Sequence, residues 1–176
     1  MTYQELVEYN AHRDLNQFSV IVPNLDEAVK NWTEYLKIGP WRIIEFSDKY
    51  CDHFEYNGRL VTEPFKFMVG IAKVNGLEIE LIEPCYGPNA YNDFLEKTGG
   101  CPQHIKFAFP DNDAVDAAAK EYESRGLPVI QMGDLLGNRH YYIDTTKQTH
   151  CLIELGSRQL SKYPPDKIRW YPPMEE

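Results

Sequence analysis

Apolar and polar residues alternate along this chain with two different periods, and the two periods follow one another in the same order twice. From Gln17 the run QFSVIVPN places Phe18, Val20 and Val22 at every second position, the spacing of a strand with one covered face. Over 25–36 the spacing changes, with Ala28, Val29, Trp32 and Leu36 recurring at three and four, which predicts a helix ended by Gly39 and Pro40. Strands are then predicted over 41–46, 65–74 and 77–83. Asn75-Gly76 joins the last two, a pair that accepts the positive φ angles of a tight hairpin.

The series restarts at His104. HIKFAFPDN predicts a strand with Ile105, Phe107 and Phe109 on its covered side, and a helix over 112–124 turns Val115, Ala118, Ala119 and Tyr122 inward. Gly126 and Pro128 end that helix, and strands follow over 129–132, 139–144 and 150–155. In both copies a proline stands six positions after the opening polar residue (Pro23, Pro110), and an Asx residue (Asn24, Asp111) follows it as a helix cap. Asp26, Glu27 and Asp113 lie in the first turns, where they complement the helix dipole. The closing strands match as well: LEIEL carries Glu80 and CLIEL carries Glu154. The order is strand, helix, three strands, twice over, an α+β chain of two βαβββ modules at 15–85 and 102–157 that form one domain. An extension, 1–14, precedes them and a tail rich in proline and aromatics, 158–176, follows. The stretch SDKYCDHFEYNGR makes the first copy the longer one.

Alternation also assigns faces. If Phe18, Val20 and Val22 are covered by a helix, Gln17, Ser19 and Ile21 face the other way, as do His104, Lys106 and Ala108 in the matching strand. Glu80 and Glu154 then share that opposite face with Glu78 and His150. Four metal-capable side chains, Gln17, Glu80, His104 and Glu154, thus fall at equivalent places of a duplicated unit. Such a face is costly when dry and unpaired, so it reads as a solvated surface or as the lining of a cavity that holds a cation.

Composition narrows the function. A net charge of −9 and a pI near 5.1 exclude the basic surface a nucleic-acid partner needs. A mean hydropathy of −0.51, with no long apolar run, gives no membrane span, and the polar start MTYQELVEYNAHRD does not resemble a secretory signal, so a cytoplasmic location is expected. Cys51, Cys85, Cys101 and Cys151 form no metal-ribbon spacing and are expected to be reduced. The aromatic tail is too apolar to stay free and is expected to lie against the body or a second subunit.

The motifs QFSVIVPNLDEAV, LKIGPW, GLEIELIEP, GGCPQHIKFAF and HCLIELG together resemble the vicinal oxygen chelate superfamily, which includes glyoxalase I, methylmalonyl-CoA epimerase, extradiol dioxygenases and bleomycin-resistance proteins. The resemblance spans roughly 15–156. It implies that the modules pair into an incomplete barrel around a divalent metal held by Gln17, Glu80, His104 and Glu154. Many members carry His where this chain has Gln17, which disfavours the two-His, one-carboxylate iron dioxygenases.

One imidazole, two carboxylates and an amide oxygen suit Zn, Ni, Co, Mn or Mg, and the sequence does not choose among them. The resemblance implies a lyase or isomerase that abstracts a proton next to a carbonyl and stabilises the resulting metal-bound enolate, with Glu154 or Glu80 as the base. Glu154 is preferred because His150 is expected on the same strand face. Lys106, Arg139, Tyr141 and His150 are candidates for the substrate pocket, as are Tyr142 and the aromatics of the inserted stretch. Lys106 could pair with a substrate carboxylate or with Glu78. The expected partner is a small carbonyl compound, and the resemblance implies a homodimer. The competing reading is a metal-independent binding or resistance protein of the same fold.

Overall fold

The computed structural model describes residues 1–159 and 161–174, so Leu160, Glu175 and Glu176 of the expected tail lie outside the described residues. The chain opens with helix α1 (Tyr3–Ala11), closed at its start by a capping box between Thr2 and Glu5. The first module follows: β1 (Leu15–Ile21), α2 (Leu25–Leu36), β2 (Trp41–Ser47), the hairpin β3 (His53–Tyr56) and β4 (Arg59–Leu60), then β5 (Lys66–Val74) and β6 (Leu77–Tyr86). Helix α3 (Ala90–Thr98) leads into the second module, which comprises β7 (Pro102–Phe109), α4 (Asn112–Ser124), β8 (Val129–Leu135), β9 (Asn138–Ile143), the short α5 (Thr146–Thr149) and β10 (Leu152–Ser157). A last strand, β11 (Arg169–Tyr171), lies in the tail.

Helices α2 and α4 form where the periodicity placed them. The Asn24 side chain accepts from the Glu27 amide and that of Asp111 from the Ala114 amide, which satisfies donors that each helix start leaves free. Leu25 and Val29 are buried under α2 with Trp41, Ile43, Ile79 and Leu81. Val115 and Ala119 are buried under α4 with Phe107, Ile143 and Leu155. Each helix therefore covers the outer face of its own module.

All the strands join one mixed sheet in the order β11-β2-β5-β6-β1-β7-β10-β9-β8-β3-β4, a curved sheet that does not close into a barrel. The modules meet where β1 pairs antiparallel with β7, while β6 and β10 flank that seam, each parallel to its neighbour. Two segments cross over. The inserted hairpin leaves the first module and pairs β3 with β8 of the second, and the tail returns β11 to β2 of the first. Inside the curve lies a third cluster built from both modules, including Phe46, Phe54, Phe65, Phe67, Tyr91 and Tyr142. Phe54 stacks on Phe65 at 4.3 Å and Phe46 on Phe67 at 4.5 Å. This aromatic floor keeps the two halves of the sheet apart and leaves a cavity of about 850 Å³ above it.

Candidate metal centre

The seam decides what the cavity contains. Ser19 stands opposite Glu80 on one side and His104 on the other, and one step along the strands Gln17 lies between Glu78 and Lys106, with Lys106 opposite Glu154. All these residues are on the inner face, because the alternating apolar partners are taken by α2 and α4. Glu80, His104 and Glu154 are buried, and one ligand atom from each lies within 4.8 Å of the others. His104 Nε2 is 3.0 Å from Glu154 Oε2 and 3.3 Å from Glu80 Oε2. Neither oxygen lies in line with the ring nitrogen, however, so Nε2 and Glu80 Oε2 are left without a hydrogen-bond partner.

Nearby residues prepare this group for a cation. His104 Nδ1 is 2.9 Å from Gln103 Oε1; a proton on Nδ1 donated to that amide turns the Nε2 lone pair toward the carboxylates. Burial alone would lower the His104 pKa, but Glu154 and Glu80 outweigh it and raise the value, so the carboxylates favour positive charge at this point. Gln17 is also buried on this face. Its Nε2 donates to Glu78 Oε2 at 3.2 Å, and Oε1, the end able to bind a metal, has no partner. Buried unpaired acceptors are expensive, and here three of them lie on the inner face of three adjacent strands. The residues fit a divalent metal: a Glu-His-Glu group that could hold the ion, with an amide oxygen on the same wall.

Glu154 is gripped from several sides. Lys106 Nζ is 2.9 Å from Oε1, and the Tyr142 hydroxyl donates to Oε2 at 2.9 Å, itself accepting from the Tyr91 hydroxyl at 2.9 Å. Burial would raise this carboxyl, but Lys106 and His104 hold it well below the usual carboxylate range. For Lys106 the balance runs the other way: burial lowers its pKa, the Glu154 and Glu80 charges overcome that, and it stays a cation. Lys106 therefore pairs with Glu154 rather than Glu78, which is already engaged by Gln17 and, at 3.3 Å, by Lys73.

Three pocket expectations do not hold. Arg139 and Tyr141 point outward to α4, where both bond Asp116, at 2.7 and 2.8 Å. The inward residues of β9 are their neighbours Asn138, His140 and Tyr142. His150 is exposed at the end of α5, in a left-handed conformation, because that short helix occupies the residues expected to begin the strand; β10 starts only at Leu152. The aromatics of the inserted stretch also sit off the cavity, with Phe54 buried in the floor beneath it.

The alternation rule puts His140 on the same face as Tyr142, and would have found it had the inward face of β9 been known. Alternation places Ser19, whose buried hydroxyl is orphaned, on this face, whereas Gln103 and Tyr91 carry no signal in a single sequence.

Fold and site define a two-module protein with a buried, metal-capable centre at the module seam. A family model described as the glyoxalase/bleomycin resistance protein/dioxygenase superfamily matches residues 16–143, and the chain belongs to that superfamily. Solved structures agree on the fold. A hypothetical protein from Bacillus halodurans C-125 is similar with a TM-score of 0.59 at 14% identity, over 87% of this chain and 99% of that one. The methylmalonyl-CoA epimerase from Mycobacterium tuberculosis gives 0.56 at 20% identity, over 81% and 86%. A variant of the Streptomyces coelicolor methylmalonyl-CoA epimerase, in complex with 2-nitronate-propionyl-CoA, gives 0.57 at 22% identity, over 83% and 97%. No curated sequence matches the chain. Among the described residues, no helix is long and apolar enough to cross a membrane.

Proposed function

We propose that this protein is a metal-dependent lyase or isomerase that removes a proton from the carbon next to a carbonyl of a small substrate. The observation that carries the reading is the convergence of Glu80, His104 and Glu154 at the seam, with ligand atoms within 4.8 Å of one another. These three residues, with Gln17 Oε1, would hold the metal. A bound divalent ion would supply Lewis-acid polarisation of the carbonyl and offset the charge that develops on its oxygen.

The chain's own residues divide the remaining work. Glu80 is the better candidate base, since Oε2 has no partner, whereas both oxygens of Glu154 are already held. That reverses the preference drawn from the position of His150. Glu154, fixed by Lys106 and Tyr142, is suited to stay ionised and orient the site. The apolar floor excludes water from the reacting carbon, which strengthens every charge interaction above it. The family resemblance supports a homodimer acting in the cytoplasm, which size-exclusion chromatography and cell fractionation would check.

The test is metal analysis of the purified protein together with NMR observation of solvent-deuterium exchange into 2-oxo compounds and thioesters. Metal should co-purify and chelator should abolish exchange. Glu80→Gln should lower the exchange rate per bound metal ion by about 10²-fold or more. A metal-free protein that is indifferent to chelator and exchanges no proton would sink the reading in favour of a binding protein.

A further inference from the structure

We propose that Lys106 makes the cavity selective for substrates with a negative charge beside the carbonyl, namely 2-oxo acids with an apolar side chain. The inference rests on the proton-abstraction reading above and names the substrate class for that site.

Lys106 lines the cavity from β7, with Gln17 opposite on β1 and Glu154 opposite on β10. Its side chain is 16% exposed, and its one ion pair among the described residues is with Glu154. An ammonium has three donors, so that contact leaves donors free on the cavity side. The backbone is shaped for this placement. A Cβ at Gly156 would lie 2.1 Å from Lys106 Cε and 2.8 Å from Nζ, so only glycine there lets the lysine lie across β10.

A charge count indicates what those donors await. The carboxylates of Glu80 and Glu154 balance one divalent ion. Glu78 is matched by Lys73, Gln17 is neutral, and burial pushes the His140 pKa down to about 4, so that ring is neutral too. Asp14 is paired with Arg158, so Lys106 inside the cavity and the exposed Arg42 at its rim carry positive charge beyond neutrality. A buried excess charge is expensive unless a counter-charge arrives, and an anionic substrate supplies it. The adjoining wall indicates the rest of the molecule. On the inner face β2 presents Ile44 and Phe46, and β5 presents Val69 and Ile71, an apolar stretch that cannot bond a polar substituent, with Arg42 and Lys73 at its outer ends. A 2-oxo acid places two neighbouring oxygens at the charged pole and turns its side chain toward this wall.

The experiment uses the protein as purified, with its metal, and measures binding of 4-methyl-2-oxopentanoate and phenylpyruvate against their methyl esters by ligand-observed NMR and calorimetry. The acids should bind about tenfold or more tightly than the esters, the scale of a charge-assisted hydrogen bond. Lys106→Met should bring the ratio to within about twofold at unchanged metal content, while Lys106→Arg should keep a preference for the acids. Gly156→Ala, which displaces the lysine head without removing its charge, should also erode the preference and covers the case of a Lys106→Met variant that does not fold. Esters that bind wild type as tightly as the acids would overturn the inference, as would a Lys106→Met variant that keeps the preference or a failure of both acids to bind. Deuterium exchange at C3 is read separately: Lys106-dependent acid binding without exchange would remove the proton-abstraction reading and leave the anion selectivity standing.

Discussion

His140 shows how one buried side chain can set a response of the whole protein. Its ring packs across Gly133 and edge-on against Phe46, its Nε2 has no partner, and burial pushes its pKa down to about 4 from an ordinary value near 6.5. Between those values the unfolded chain binds a proton that the folded chain refuses. This residue's contribution is therefore complete above about pH 6.5 and lost as the pH falls toward 4, a change of roughly 3 kcal/mol at 1.4 kcal/mol per unit. Urea unfolding of wild type and His140→Gln across that range should show a stability difference that shrinks toward acid pH; a constant difference would mean the ring is not held neutral. His104, whose pKa is raised, contributes with the opposite sign, so only the comparison with the variant isolates His140.

At the scale of elements, helix α2 tests which local feature matters more. Asn24 caps an exposed helix start, and its loss in Asn24→Ala should cost about 1 kcal/mol. Leu25, next in the chain, is 1% exposed and packs over Gly70, so Leu25→Ala should cost about 3 kcal/mol through lost burial and the cavity left behind. Denaturant midpoints at unchanged slope would check both, and equal costs would mean that the helix depends on its cap as much as on its docking. The helix ends were legible in the sequence because capping and 3.6-residue periodicity are local. The inward face of β9 was not: it is set by the register with β8 and β10, and a shift of one residue would exchange His140 and Tyr142 for Arg139 and Tyr141.

For the molecule as a whole, the centre ties the two modules together. Glu80 comes from the first module, and His104 and Glu154 come from the second, so a metal held by these three would stabilise the seam as well as the site. An ion that binds only the folded protein should add about 2.7 kcal/mol at a hundredfold excess over its Kd, and chelation should lower the Tm accordingly. A differential scanning experiment with and without chelator reads this directly, and an unchanged Tm would deny the ion its place at the seam. The reciprocal edge strands act at the same scale. The β3–β4 hairpin and β11 each cross to the other module, and β11 brings Trp170 to the cavity wall.

The sequence alone determined the duplicated strand–helix–strand order and the shared face of Gln17, Glu80, His104 and Glu154, because both follow from periods of 2 and 3.6 and from capping chemistry close along the chain. Tertiary structure decided what surrounds them. The pairing of β1 with β7 brought Glu80 to His104, that of β7 with β10 brought Glu154 to His104 and Lys106, and Gly156 left room for that lysine. Tyr91 and Gln103 joined the site through contacts across elements or through packing that no local pattern encodes. Charge balance around a cavity depends on which side chains converge there, and only the assembled sheet fixes that convergence.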